Sequence, residues 1–217
     1  MHRLSVATGD GLRRVLVIGA HADDIEIGCG GTLLTLLRAR PDVHVTWFVL
    51  SASGDRAKEA RASAETFLGT AGSYDLRLLE LRDGFLPYGP EAKEAFEALK
   101  PEIDPQLILT HARNDLHQDH RTVCELTWNT FRDNLILEYE VPKYDGDLGR
   151  PGVYVELSAD VAREKVELLL RHFPSQSVKH WFDAETFTGL MRLRGLEGKA
   201  KDGYAEAFYG PKLVVSL

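Results

Sequence analysis

Short apolar runs alternate with stretches of helical periodicity along the first 140 residues of the chain. The strand-like runs lie at 14–20, 43–50, 74–80, 106–111 and 134–140, and the helical stretches lie at 27–40, 56–69, 90–100 and 120–132. This alternation is typical of parallel sheets whose crossover helices cover both faces. It predicts an α/β, Rossmann-like three-layer fold with a mostly parallel sheet.

The pattern changes after Val141-Pro142. The rest of the chain holds a Gly-, Asp- and Pro-rich segment at 144–152, a short strand at 153–157, a helix at 159–172 and a helical stretch at 184–194. Loops above a rigid core commonly shape a binding pocket. We therefore expect a single domain over 1–217, in which 1–140 form the core and 141–217 form a substrate-shaping C-terminal elaboration.

Charge, cysteine content and hydropathy limit the binding partners and the cellular location that we expect. The net charge is −7, from 26 Lys plus Arg against 33 Asp plus Glu, and an acidic surface disfavours nucleic acid. Cys29 and Cys124 lack any metal-finger spacing, which indicates free thiols in a reducing compartment. No apolar run is long enough to span a membrane, so we expect a cytoplasmic protein. The sequence leaves a homo-oligomer open.

Two polar clusters follow the first and fourth predicted strands. The first is His21-Ala-Asp23-Asp24, and the second is His117-Gln-Asp119-His120. If the first strand lies beside the fourth, the direction of winding reverses between them, and ligands bind at such a crevice in open α/β sheets. The topology thus predicts that the two clusters meet, although about 100 residues separate them in the chain.

The residue types in these clusters suit a hydrolytic zinc site. Such a site needs three protein ligands and one open position for water, and His21, Asp24 and His120 can supply the ligands. Asp23 then remains beside the metal as a general base, because the ion lowers the pKa of a bound water to about 7. Two histidines and one carboxylate also suit Fe²⁺ and other divalent ions, so the metal stays open.

His117 is predicted to face the same cavity without binding the metal. As an imidazolium it could stabilise an oxyanion or protonate a departing amine. Asp119 could orient His117 or hold the second nitrogen of a ligand histidine, and the first arrangement is favoured here. The turn Gly28-Cys-Gly30-Gly31 allows close approach to a ligand or to neighbouring backbone, and its spacing is not a dinucleotide fingerprint.

These motifs resemble those of the PIG-L/LmbE-like zinc-dependent N-acetylglucosaminyl deacetylases. Ala20-His-Ala-Asp-Asp24 is similar to the family's Ala-His-Pro-Asp-Asp, and His117-Gln-Asp-His-Arg121 is similar to His-Pro-Asp-His-Arg. A helix beginning near Arg56 and the C-terminal run Tyr204-Ala-Glu-Ala-Phe208 also resemble family segments. Ala22 and Gln118 stand where the family usually has proline, and neither change removes a reacting group.

The resemblance implies the same roles that the residue types suggest. The zinc ligands are His21, Asp24 and His120, the base is Asp23, and His117 stabilises the oxyanion with Asp119 behind it. The expected reaction removes the acetyl group from an N-acetylated amino sugar or glycoconjugate by attack of a water bound to zinc.

Several alternatives remain open on the sequence. Arg56 is a candidate for substrate binding, because its guanidinium donates in a fixed geometry, but it could instead pair with Glu59 on a solvated helix face. A metal-dependent hydratase or lyase acting on a small carboxylic acid could use the same scaffold, and an anion-binding Arg56 or Arg192 in the cavity would favour it. A non-catalytic, metal-stabilised binding module is the third alternative.

Overall fold

The computed structural model describes Arg3, residues 11–210 and Lys212. The strands are β1 Arg14–His21, β2 His44–Ser51, β3 Ser73–Leu78, β4 Leu107–His111, β5 Leu135–Tyr139, β6 Val153–Leu157 and β7 Tyr204–Tyr209. The helices are α1 Asp24–Ala39, α2 Gly54–Phe67, α3 Glu91–Leu99, α4 Gln118–Thr130, α5 Ala159–His172 and α6 Ala184–Gly198. Short 3₁₀ turns lie at Leu86–Tyr88, Lys100–Glu102 and Pro174–Gln176.

The seven strands form one sheet in the order β3-β2-β1-β4-β5-β7-β6. Strand β1 pairs in parallel with β2 on one side and with β4 on the other. The winding therefore reverses at β1 and β4, which confirms the expected α/β fold. Both polar clusters follow the carboxyl ends of these two neighbouring strands.

The two faces of β1 explain the three layers. Val15 and Val17 point into one apolar core, and Leu16 and Ile18 point into the other, because successive side chains of a strand alternate between faces. The first core includes residues of α1, α2 and α5, and the second includes residues of α3 and α4. Because β1 is buried on both faces, packing holds the residues at its carboxyl end in fixed positions.

Helix α1 begins at Asp24, three residues before the predicted start at 27, and it bends at Cys29. The backbone of Cys29 is non-helical, with φ −144° and ψ 15°. A Cβ on Gly28 would lie 2.1 Å from the Tyr139 ring, and one on Gly30 would lie 2.7 Å from the Phe67 ring. These glycines therefore serve close packing against aromatic side chains, rather than the approach to a ligand that the sequence suggested.

The carboxylate of Glu206, on β7, binds the part of α1 that follows the bend. Its two oxygens accept hydrogen bonds from the backbone N–H groups of Gly31 and Thr32, at 2.8 and 2.6 Å. The buried Lys165 ammonium donates to the same carboxylate at 2.6 Å. A carboxylate at the start of a helical segment satisfies free N–H groups and complements the helix dipole. Glu206 thereby ties the C-terminal segment to α1.

The C-terminal segment also extends the sheet. Strand β7 lies between β5 and β6 and pairs with both in the antiparallel direction. The predicted strand at 153–157 is confirmed as β6, while the helical stretch expected at 184–194 continues to Gly198. Residues 141–210 are thus built onto the same sheet as the parallel strands.

Candidate active site

A cavity of about 290 Å³ opens at the carboxyl ends of the parallel strands. One side holds residues of the two polar clusters and of the loops after β2 and β3, and the other side comes from the C-terminal segment. The lining residues are His21, Asp23, Asp24, Ser51, Ser53, Arg56, Asp83, His117, His120, Val141, Lys143, Gln176, Lys179 and Trp181. The structure thus brings together the two clusters that the topology predicted to meet.

Three of the predicted ligands converge on one point. His21 Nδ1 lies 3.2 Å from His120 Nε2 and 3.4 Å from Asp24 Oδ2. His120 Nε2 lies 3.5 Å from Asp24 Oδ1. Donors held about 2.0–2.1 Å from a tetrahedral zinc ion are separated by about 3.3 Å. The spacing of these three side chains therefore fits a shared metal ion.

The second nitrogen of each histidine is held by a carboxylate. His21 Nε2 lies 3.0 Å from Asp83 Oδ1 and 3.1 Å from Asp119 Oδ2. His120 Nδ1 lies 2.9 Å from Asp115 Oδ2. Carboxylates in this position place the proton on the outer nitrogen and leave the inner one free to bind a metal. Two such inner nitrogens at 3.2 Å repel each other unless a cation lies between them.

The electrostatics of the site agree with this geometry. Burial disfavours the charged form of His21, but Asp24, Asp119 and Asp83 outweigh it and hold the pKa of His21 well above its ordinary value. Burial and the neighbouring His111 lower the pKa of His120 to about 4. Burial would raise the pKa of Asp24, yet the surrounding histidines hold it well below its ordinary range. These directions favour a protonated His21 beside an ionised Asp24 in the metal-free protein.

Asp23 precedes α1, lines the cavity and is almost fully buried. Its Oδ1 accepts a hydrogen bond of 2.7 Å from Arg56 Nη2. Arg56 lines the same cavity, and Glu59 instead accepts hydrogen bonds from Ser175. The surface pair between Arg56 and Glu59, considered as an alternative from the sequence, is therefore not formed. Arg56 fixes the carboxylate predicted to be the base.

His117 lies beside both predicted ligand histidines, with its ring centroid 4.9 Å from that of His21 and 4.7 Å from that of His120. Its Nδ1 accepts a hydrogen bond from the backbone N–H of Asp119. Burial and the nearby His21 lower the pKa of His117. The geometry therefore favours a neutral His117 whose Nε2–H is a donor, and the imidazolium form suggested by the sequence is disfavoured.

The carboxylate of Asp119 faces His21 rather than His117. Besides His21, it accepts hydrogen bonds from the backbone N–H groups of Gly84 and Leu86. The favoured partnership of the Asp119 carboxylate with His117 is therefore wrong, and the carboxylate instead contacts His21, one of the predicted ligand histidines. The choice depended on the direction of the side chain at the start of α4, which the sequence did not reveal.

Four residues at the site received no role from the sequence. His111 stacks on His120 with a centroid separation of 3.9 Å, and its Nε2 accepts a hydrogen bond from the backbone N–H of Ala20. Asp83 contacts His21, Asp115 contacts His120, and Lys143 contacts Asp115 at 2.9 Å. His111 ends β4 and Asp115 precedes the second cluster, so the sequence positions of these two residues could have indicated a role at the site. Asp83 and Lys143 lie on loops without a motif.

Comparison with known proteins places the chain in a family. A model of PIG-L, the GlcNAc-PI de-N-acetylase family, matches residues 16–131, which is more than half of the chain. The chain belongs to this family. This member of PIG-L is 29% identical over 140 residues to YaiS of Escherichia coli (strain K12), described as an uncharacterized deacetylase. That match covers 59% of this chain and 74% of YaiS.

Solved structures share the fold of this PIG-L member. The N,N'-diacetylchitobiose deacetylase of Pyrococcus horikoshii superposes with a TM-score of 0.71 at 21% identity, covering 91% of this chain and 83% of that one. The 4-carboxy-2-hydroxymuconate hydratase GalB of Pseudomonas putida KT2440 gives 0.75 at 17% identity, covering 95% and 99%. At these identities the likeness concerns the fold, and family membership is what supports a deacetylase.

The described part of this PIG-L member contains no helix with the length and apolar character needed to cross a membrane.

Proposed function

We propose that the protein is a metal-dependent hydrolase that removes the acetyl group from an N-acetylated amino sugar or glycoconjugate. Zinc is the proposed metal, with His21, Asp24 and His120 as its ligands. Asp23 is the proposed base, and His117 the proposed donor to the oxyanion. Family membership supports the class of enzyme, and the geometry of the cavity supports the roles of the residues.

The observation that carries this proposal is the convergence of His21, His120 and Asp24, with the outer nitrogen of each histidine bound by a carboxylate. The inner nitrogens of His21 and His120 and the carboxylate of Asp24 are 3.2–3.5 Å apart. An ion bound there would supply a Lewis acid for the acyl oxygen and would lower the pKa of a bound water to about 7.

Asp23 is suited to take a proton at the edge of this site. Arg56 binds one of its oxygens, and the other makes no hydrogen bond to the residues that the structure describes. The guanidinium holds the carboxylate in one orientation. The free oxygen of Asp23 is then the proposed acceptor for the proton that leaves the attacking water and later passes to the departing amine.

His117 is suited to hold the developing charge on the acyl oxygen. Its Nδ1 is occupied by the Asp119 N–H, so the neutral ring carries its proton on Nε2. A fixed N–H donor in a cavity with little water stabilises an oxyanion without needing a charge of its own. The lowered pKa of His117 favours this neutral form at pH 7.

The C-terminal segment supplies the opposite wall, where the sugar would bind. Trp181 and Gln176 line the cavity, and Gln176 is buried with no hydrogen-bond partner for Oε1 among the described residues. Aromatic faces pack against the apolar face of a ring, and an unpaired amide oxygen favours a hydroxyl or amide N–H. We propose that Trp181 packs against the acetylated sugar.

The test of this function is acetate release by purified, metal-loaded protein from N-acetylglucosamine and diacetylchitobiose. Acetate and free amine should form in equal amounts. Asp23→Asn should lower kcat by about 10²–10⁴ while one metal ion per chain remains bound. Asp55→Asn is the matched control, because Asp55 is an exposed carboxylate at the start of α2. Full turnover by the Asp23→Asn variant would contradict the proposed base.

A hydratase acting on a small carboxylic acid is the second candidate. It gains support from the fold shared with GalB and from Arg56, which lines the cavity. However, Arg56 is already paired with Asp23, and Arg192 binds the carbonyl of Gly203 outside the cavity. Hydration releases no acetate, so product analysis in the same assay separates the two candidates.

We place the enzyme in the cytoplasm. Cys29 and Cys124 are both buried and free, which suits a reducing compartment.

A further inference from the structure

Lys143 is a buried lysine that the proposed chemistry does not use. It follows β5 at the start of the C-terminal segment, lines the active-site cavity, and keeps only 9% of its side chain exposed. Burial of an ammonium group is costly unless the charge is paired. Lys143 Nζ lies 2.9 Å from Asp115 Oδ1 and 2.7 Å from Asp147 Oδ2. Two carboxylates at hydrogen-bonding distance, with Asp145 Oδ2 farther away at 3.9 Å, therefore compensate one buried cation.

Asp115 connects Lys143 to the metal site. Its Oδ2 accepts from His120 Nδ1 at 2.9 Å, and its Oδ1 accepts from the backbone N–H of His117 at 2.8 Å. A carboxylate that binds the outer nitrogen of a ligand histidine fixes the ring orientation and the tautomer. Asp115 thus controls His120 directly and the position of the His117 backbone at the same time.

Asp147 connects Lys143 to the loop that carries Asp115 and His117. Asp147 Oδ2 accepts from the backbone N–H of Leu116 at 2.7 Å, in addition to Lys143. The turn between Lys143 and Asp147 contains Gly146 at φ +64°, a backbone conformation that glycine adopts without strain. The segment 143–147 is therefore fastened to the loop before α4 at two points.

Burial alone would make the ammonium of Lys143 easier to deprotonate. Asp147 and Asp115 outweigh burial and raise the pKa of Lys143 above its ordinary value. Lys143 therefore remains a cation at neutral pH, and its ammonium is bound to the two carboxylates. Its contribution must come from its charge and its position.

We infer that Lys143 is a positioning residue, which holds Asp115 in place so that His120 presents Nε2 to the metal. This inference rests on the proposed function only in taking His120 as a ligand. It also assigns a purpose to the segment after β5, where the sequence offered no motif. Because Lys143 acts through Asp115, its removal should weaken metal binding even when no substrate is present.

The test compares variants of the full-length protein by zinc affinity, measured by competition with a chelator. Lys143→Met keeps the aliphatic stem and removes the charge, and it should bind zinc about tenfold more weakly, as expected for loss of an outer partner. Lys143→Arg retains the cation and should recover most of the affinity. Lys179→Met is the matched control, because Lys179 lines the same cavity but contacts no carboxylate among the described residues.

Cobalt substitution gives a second readout. Lys143→Met should alter the visible spectrum of bound Co²⁺, since the angle of the His120 ring changes, whereas Lys179→Met should leave it unchanged. Asp147→Asn, which removes one charge from the lysine's pair, should weaken zinc binding in the same direction and serves if Lys143→Met does not fold.

The inference is overturned if Lys143→Met binds zinc within twofold of the parent and its cobalt spectrum is unchanged. A raised KM with unaltered metal binding would mean that Lys143 contacts substrate directly, which also overturns it. Acetate release with no effect of Lys143→Met on metal affinity would reject this inference alone. Weakened metal binding in a protein that deacetylates no substrate would reject the proposed reaction alone.

Discussion

Replacing Glu206 by glutamine should destabilise the fold severely, because one carboxylate serves three buried donors. Lys165 is 2% exposed and would keep only the carbonyl of Ile27 and one amide oxygen. Breaking one partner of a buried ion pair costs about 3–5 kcal/mol. The glutamine NH₂ would also leave the N–H of Gly31 or Thr32 without an acceptor, which adds about 1–3 kcal/mol. We expect a loss of at least about 4 kcal/mol out of a total of about 5–15.

The assay is urea unfolding followed by tryptophan fluorescence, supported by thermal unfolding. For a chain of this length about 4 kcal/mol lowers Tm by roughly 8–16 °C. Glu156→Gln on the neighbouring strand β6 is the control, since its partly exposed pair with Arg3 should contribute less than about 1 kcal/mol. Adding Lys165→Met to Glu206→Gln should restore part of the stability. A Glu206→Gln variant within about 1 kcal/mol of the parent would refute the reasoning.

Two further predictions concern the cavity. Metal binding should release a proton, because the raised pKa of His21 keeps that ring charged in the metal-free protein and a metal ligand must be neutral. Zinc affinity should therefore fall as the pH decreases below that pKa. Calorimetry in buffers of different ionisation enthalpy measures the proton release, and binding without it would contradict the prediction. Trp181→Ala should raise KM about tenfold and leave kcat within about threefold, since a packed aromatic side chain contributes about 0.5–1.5 kcal/mol to binding. Steady-state kinetics on the acetylated sugar tests this. An unchanged KM would show that Trp181 does not contact the substrate.

The sequence predicted the parallel part of the sheet and the meeting of the two polar clusters for a physical reason. Apolar runs separated by helical stretches constrain the class of fold, and a reversal of winding beside β1 places His21 next to His120. The start of α1 was less clear, because Asp24 and Glu26 are buried polar residues at the positions where apolar periodicity was sought. Charged residues in the first turn of a helix obscure its beginning whenever they serve a site.

Contacts made across long distances in the chain were not predictable in this way. Strand β7 inserts between β5 and β6, although β5 and β6 come earlier in the chain, and no local pattern encodes that order. The partner of Asp119 and the contact of Lys143 with Asp115 depend likewise on side-chain directions set by tertiary packing. Sequence patterns therefore identified most of the proposed reacting groups, which meet at one cavity, whereas the carboxylates and the lysine that contact them became visible only in the folded chain.

The charge balance of the cavity bears on the choice between the two candidate reactions. Five carboxylates line the cavity or contact a predicted ligand histidine, namely Asp23, Asp24, Asp83, Asp115 and Asp119, and a sixth, Asp147, pairs with Lys143. Three cations line the cavity, namely Arg56, Lys143 and Lys179, so the net charge of these groups is −3. A divalent ion would leave this charge at −1, with no surplus positive charge to attract a carboxylate. A neutral acetamido group meets no such repulsion, so the arrangement of charges agrees better with the proposed deacetylation than with the hydratase alternative.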